Sequence, residues 1–254
     1  MNLQGKVAIV TGSSSGVGAA TVKLLASKGC HVVVNYSRSK EAAELVAKDC
    51  EALGVDTLVC QANVAEDADC KSIVDQAMTK WGRIDALINN AGTTKFVPHH
   101  QLDGLDKDDF FNLYGVNVVG PYQMTRAAES ALRASGDASI VNIASIAGIR
   151  GIGSSIAYAA SKGALITMTK SLARVMGPEI SVNAICPGFI QGEWLEEGLG
   201  SEAYHNAKNA LEAKAPLKVT CTAESVAESI VQFIEGHSVV TGQYLLLDGG
   251  HYLM

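Results

Sequence analysis

Short β-branched runs alternate with longer helical stretches along this chain, and that alternation constrains its fold more than any other feature. Residues 6–11 precede a helical pattern from about Gly18, residues 31–35 one from Lys40, and residues 57–61 one from Ala68. Further strand-like runs follow at 86–89, 139–143, 180–185 and 244–248, with helical patterns at 106–134 and 155–176. Parallel neighbours need long crossovers, which are right-handed almost without exception. The runs are apolar throughout, as expected for strands covered on both faces. The expectation is one doubly wound α/β domain over residues 1–254, a seven-stranded parallel sheet with helices on both faces. No Pro/Ser/Gly linker, charge block or internal repeat marks a boundary. Residues 188–216 form the one stretch read as irregular, and their place after a strand suggests a mobile substrate lid.

Bulk properties exclude several classes. With 254 residues, 48% hydrophobic, the chain can bury a substantial core. A net charge of -6 argues against a surface built for phosphates, so no nucleic-acid partner is expected. The N-terminus enters a strand-like run at once and no apolar run approaches the roughly 20 residues of a membrane span. A cytoplasmic protein without membrane contact is the expectation. Six dispersed cysteines without a C-x-x-C pair read as buried, reduced thiols. His99, His100 and the other histidines lack ligand spacing, so no metal is expected. Asp106, Asp108 and Asp109 cluster where a helix begins, which suits capping better than paired-carboxylate chemistry.

The segment after the first strand is T-G-S-S-S-G-V-G, in which Gly12, Ser14, Ser15, Gly16, Val17 and Gly18 precede a helix. Such a turn lets backbone N–H groups approach the pyrophosphate of a dinucleotide at the positive end of the helix. Some 20 residues on, where NAD-selective proteins usually carry a ribose-binding carboxylate, stand Asn35, Tyr36, Ser37 and Arg38. A carboxylate at Asn35 would repel a 2′-phosphate. Its absence, with a guanidinium nearby, tilts the expectation toward NADP over NAD. Tyr158 and Lys162 lie four apart on a helical pattern, so the ammonium can sit beside the phenol. A free tyrosine titrates near pH 10, and a lysine at about 4 Å could lower it by about three units.

Together with Ser145, thirteen positions before Tyr158, these segments resemble the short-chain dehydrogenase/reductase family, a Rossmann-type fold, over nearly the whole chain. N-N-A-G (Asn89, Asn90, Ala91, Gly92) and P-G-F-I (Pro187, Gly188, Phe189, Ile190) strengthen the likeness, whose pattern is nearest to 3-oxoacyl-thioester (carrier-protein) reductases. The resemblance implies proton transfer by Tyr158, a hydrogen bond to the substrate oxygen from Ser145 and a grip on the nicotinamide ribose by Lys162. It also implies a relay water held by Asn117, adenine contacts at Asn63 and Val64, and a nicotinamide bordered by Pro187, Gly188 and Ile190. A homotetramer paired through helices 106–134 and 155–176 is implied too. Gly192 departs from the pattern, since many relatives carry threonine there. The expected reaction is reduction of a 3-oxoacyl thioester or similar ketone. Oxidation of a sugar or other polyol is the alternative within enzymes, and a catalytically silent dinucleotide sensor or scaffold the alternative outside them. An enoyl reductase is disfavoured, because those relatives space Tyr and Lys more widely.

Overall fold

A computed structural model of the chain describes residues 1–236 and 239–254. Strands β1 (Val7–Val10), β2 (His31–Tyr36), β3 (Thr57–Gln61), β4 (Ala86–Asn89), β5 (Ala138–Ile143), β6 (Ile180–Pro187) and β7 (Tyr244–Leu247) form one sheet. Their order is β3-β2-β1-β4-β5-β6-β7, and every pairing is parallel. This is the doubly wound α/β arrangement expected from the alternation.

Helices α1 (Gly16–Ser27), α2 (Lys40–Glu51) and α3 (Asp67–Trp81) connect the first four strands, and α4 (Lys107–Tyr114) and α5 (Gly120–Ser135) lead to β5. After β5 come α6 (Ala147–Arg150) and α7 (Ile156–Met176), and after β6 come α8 (Glu193–Leu199), α9 (Ser201–Lys214) and α10 (Ala223–Glu235). The pleat decides which residues serve which layer. Ala8, Val10, Val32 and Val34 pack with Val22, Leu25, Val46 and Ile230 from α1, α2 and α10. Ile9, Val33, Leu87 and Ile140 face the other way, onto Ile73, Met124 and Leu132 from α3 and α5.

Three elements differ from expectation. The stretch 106–134 is helical, but a π turn at Gly115–Val119 divides it and holds Asn117. Its start is as read: Asp106 accepts from Asp109 N at 2.9 Å and Asp109 accepts from Asp106 N at 3.0 Å, a reciprocal cap. The lid segment is not irregular, since α8 and α9 occupy most of it. Helix α10 was unanticipated, although Thr222 and Ser225 cap it and Val226, Ile230, Val231 and Ile234 give it a buried face. No helix among the described residues is long and apolar enough to cross a membrane.

Strand order reverses direction between β1 and β4, where doubly wound sheets open a crevice at the strands' carboxyl ends. The glycine turn after β1 and N-N-A-G at the end of β4 both emerge there.

Candidate active site

The glycine turn is laid directly on the segment after β4. A Cβ on Gly12 would stand 2.9 Å from Ala91 Cα, and one on Gly18 only 2.5 Å from Gly12 O, so both positions exclude a side chain. Asn90 Nδ2 donates to Thr11 O and Gly12 O, each at 2.9 Å, while Thr11 Oγ1 accepts from Asn90 N and Ala91 N, each at 3.0 Å. Gly18 thus sits behind the turn, and Ser14, Ser15, Gly16 and Val17 face the cleft. The first turn of α1 carries no side-chain cap and no acidic residue. Its free N–H groups and positive dipole end suit a pyrophosphate.

At the end of β2 the pleat separates the expected cofactor residues, with Asn35 on the cleft and Tyr36 off it. Asn35 is 2% exposed and its amide also holds the fold together. Oδ1 accepts from Gly12 N at 2.9 Å, and Nδ2 donates to Ala62 O at 3.1 Å and Cys60 O at 3.3 Å. It braces the turn, and its Oδ1 keeps one lone pair beyond the bond from Gly12 N. The Tyr36 ring is in the core beside Val34, away from the cleft, because the pleat turns alternate residues of β2 to that face. Ser37 and Arg38 do line the cleft, as do Asn63 and Val64 after β3. Arg38 makes no ion pair among the described residues, which leaves its guanidinium available to an anion.

Ser145 follows β5, and Tyr158 and Lys162 stand one turn apart near the start of α7. Ser155 caps that helix by accepting from Tyr158 N at 3.2 Å, which fixes where the phenol points. Lys162 Nζ donates to Ile143 O at 2.8 Å and lies 5.7 Å from the centroid of the Tyr158 ring. Burial pushes the Tyr158 phenol up to about 12, and its hydrogen bond with Ser145 works against that rise. Burial pulls the Lys162 ammonium down to about 8, opposed by Cys186. The expected lowering of Tyr158 by Lys162 is therefore absent in the protein alone. The ammonium sits against the ring face and the Ile143 carbonyl, and desolvation dominates both groups.

Asn117 lies behind Gly92, fully buried in the π turn. Its Oδ1 accepts from Thr93 N at 2.9 Å, and its Nδ2 donates to Thr93 O at 2.9 Å and Ser161 Oγ at 3.0 Å. The side chain ties the segment after β4 to α7 and does not itself line the cleft. A Cβ on Gly92 would lie 3.5 Å from both Asn117 Oδ1 and Lys162 Nζ, so only a bare backbone separates them.

Pro187, Gly188 and Ile190 form the opposite wall. Gly188 N donates to Leu247 O at 2.7 Å, and Gln191 N to Cys221 O at 2.8 Å, which anchors the base of the lid. Gly192 has φ +151° and donates to Tyr204 Oη at 3.2 Å. A β-branched threonine would be strained in that backbone conformation, which accounts for the departure. The cleft as a whole has a volume of about 1870 Å³, large enough for a dinucleotide and a substrate together. All six cysteines are free and buried, and no acidic, His or Cys cluster among the described residues could hold a metal.

Sequence comparisons agree with this geometry. Residues 6–199 match the profile of the family described as short chain dehydrogenase. The Streptomyces violaceoruber protein named for ketoacyl reductase 2 of granaticin polyketide synthase is 41% identical, over 98% of this chain and 96% of the relative. A 3-oxoacyl-[acyl-carrier-protein] reductase of Thermotoga maritima is 35% identical, over 98% and 99%. Among solved structures, a short-chain dehydrogenase/reductase from Burkholderia xenovorans superposes with a TM-score of 0.91 at 40% identity, covering 98% of each chain. NAD+-bound xylitol dehydrogenase gives 0.90 at 26%, covering 98% of this chain and 100% of that one. With the glycine turn, the Ser-Tyr-Lys set and the sheet order all in place, the chain belongs to the short-chain dehydrogenase/reductase family, oxidoreductases that act on a CH–OH/C=O pair with NAD(P).

Proposed function

We propose that the protein reduces a ketone, a 3-oxoacyl thioester or similar compound, with NADPH. The observation that carries this reading is the placing of Ser145, Tyr158 and Lys162 in one cleft with the glycine turn, the lysine 5.7 Å from the phenol ring centroid. In reduction the phenol is the proton donor, and burial keeps it protonated at neutral pH in the protein without cofactor. Held by the glycine turn, Lys162 and the wall of Pro187, Gly188 and Ile190, a reduced nicotinamide would supply the hydride for the new C–H bond. The carbonyl oxygen takes the Tyr158 proton as the C=O π pair becomes an O–H bond. Ser145 holds that oxygen by a hydrogen bond. Lys162 has three donors, one used by Ile143 O, which leaves two for ribose hydroxyls. Asn117 positions Thr93 and α7 around the lysine, next to the point where the resemblance implies a relay water.

The names of the Streptomyces and Thermotoga relatives support ketone reduction. Polyol oxidation is the second reading, and Ser154, Gln191 and Thr220 are the polar side chains of the cleft that would serve it. Exposed Val119 and Tyr122 beside α5, with Val175 on α7, support the homotetramer. Six buried thiols fit a reducing cytoplasm.

NADPH preference rests on Ser37 and Arg38. Arg38→Ala is expected to weaken NADPH binding roughly ten- to a hundredfold and leave NADH nearly unchanged, since a charge-assisted hydrogen bond contributes about 1.5 to 3 kcal/mol. Equal loss of both cofactors, by fluorescence titration, would contradict it. The reaction itself is tested by NADPH consumption with a ketone panel against NADP+ reduction with polyols. Turnover of polyols alone would reject the reading.

A further inference from the structure

We infer that the ketone reaches this site as a free, uncharged, bulky apolar molecule, not on an acidic carrier protein or another anionic handle. The inference rests on the ketone-reductase reading and narrows its substrate. The lining of the cleft that holds Ser145 and Tyr158 includes six large apolar residues, Phe96, Phe111, Ile152, Trp194, Leu199 and Val219, beside polar ones such as Ser154, Gln191 and Thr220. All but Phe96 are exposed large hydrophobic residues. Apolar surface concentrated inside a cleft is covered by an apolar occupant, because that removes the most water-exposed hydrocarbon. Phe96 shapes this end of the site. Its ring edge seats on bare backbone of α8, where a Cβ on Gly198 would lie 2.1 Å away, and its centroid is 5.8 Å from that of Trp194. The aromatic pair, its rings tilted by 56°, bridges the segment after β4 and the lid with apolar surface.

Charge around the mouth points the same way. Residues 193–214, which make up the lid helices, carry five carboxylates (Glu193, Glu196, Glu197, Glu202, Glu212) against two lysines. The facing segment, residues 95–111, carries four aspartates against two lysines. Three of the nearby cations are engaged already. Lys95 pairs with Asp109 at 2.6 Å, Lys208 with Glu212 at 3.3 Å, and Arg150 approaches His251 Nδ1 at 3.1 Å with its guanidinium 6.0 Å from the Tyr252 ring. Asp248, also on the cleft, accepts from Gly250 N and Tyr252 N and adds further negative charge. A mouth of this sign slows the approach of an anionic substrate or an acidic partner and leaves a neutral one unaffected.

The test measures kcat/KM with NADPH for a bicyclic aromatic ketone, for butanone, and for one 3-oxoacyl chain presented three ways: on N-acetylcysteamine, on coenzyme A and on an acyl carrier protein. The inference predicts the bicyclic ketone above butanone by about a hundredfold, and the neutral thioester above both anionic forms by about tenfold. Raising salt should lift the anionic forms and leave the neutral ones unchanged. The triple variant Glu196→Lys, Glu197→Lys, Glu202→Lys should raise kcat/KM for the coenzyme A ester at least about threefold without altering that for the bicyclic ketone. A carrier-bound or coenzyme A substrate that is preferred, or that declines with salt, overturns the inference while leaving ketone reduction intact. Failure of every ketone, with polyol oxidation proceeding, overturns both.

Discussion

Asn35→Asp is expected to unfold about 10 °C below the parent protein, whichever cofactor is present. In the fold Asn35 Nδ2 serves three carbonyls, those of Tyr36, Cys60 and Ala62, while Oδ1 serves Gly12 N. Aspartate preserves the last bond and turns an acceptor toward the three carbonyls. A buried group left without partners costs about 1 to 3 kcal/mol, and a charged one more, so a loss of about 3 kcal/mol is expected. A chain of this size loses about 2 to 4 °C for each kcal/mol. Repulsion from the three carbonyls shifts the carboxylate that holds Gly12, so binding of both cofactors should weaken together. Thermal unfolding followed by circular dichroism measures the first effect. An unchanged melting temperature with a clean switch to NADH would instead identify Asn35 as a ribose-reading residue.

Tyr158→Phe should lower kcat for ketone reduction by at least about a hundredfold, the lower end of what a positioned proton donor contributes. The ring stays, so its packing against Gly153 and beneath Lys162 is retained. NADPH binding should therefore stay within about threefold, because the glycine turn, Arg38 and the first turn of α1 are untouched. Turnover and a fluorescence titration of NADPH on the same preparation separate the two effects. Equal losses in kcat and cofactor affinity would mean that Tyr158 supports the cleft without donating the proton.

How much of this was legible in the sequence depended on how each residue expresses its role. The sheet was readable because buried parallel strands are largely apolar runs, such as V-A-I-V of β1 and V-V-V within β2, with helical spacing between them. The glycine turn was readable because its geometry is backbone geometry. Tyr36 lies off the cleft although it stands at the strand end, because the pleat and not proximity decides which side chains face it. With Val32 and Val34 in one core layer, Tyr36 had to follow them and Asn35 to face the other way. Helices α8 and α9 were hidden by Gly192, Gly198 and Gly200 and by the lack of side-chain caps. Tyr204, Ala207 and Leu211, at helical spacing, were the available signal. The π turn around Asn117 lies between Gly115 and Pro121, which mark a break without stating its kind. The high Tyr158 value could not be read from Tyr-x-x-x-Lys, since spacing reports closeness to a charge and says nothing of burial.

The central claim, that Tyr158 exchanges the proton with the substrate oxygen, is tested most directly by the pH dependence of turnover in both directions. With the phenol at about 12 in the protein alone, nearly all of it is protonated through the neutral range. Ketone reduction uses that form, so its phenol-dependent step should stay level with pH until the phenol begins to ionise. Alcohol oxidation uses the phenolate, whose fraction grows about tenfold for each pH unit below the pKa, so oxidation should climb with pH. Tyr158→Phe should abolish that climb along with most of the rate. An oxidation rate that is flat or falling with pH in the parent protein, or a Tyr158→Phe protein that keeps the parent profile, would contradict the assignment.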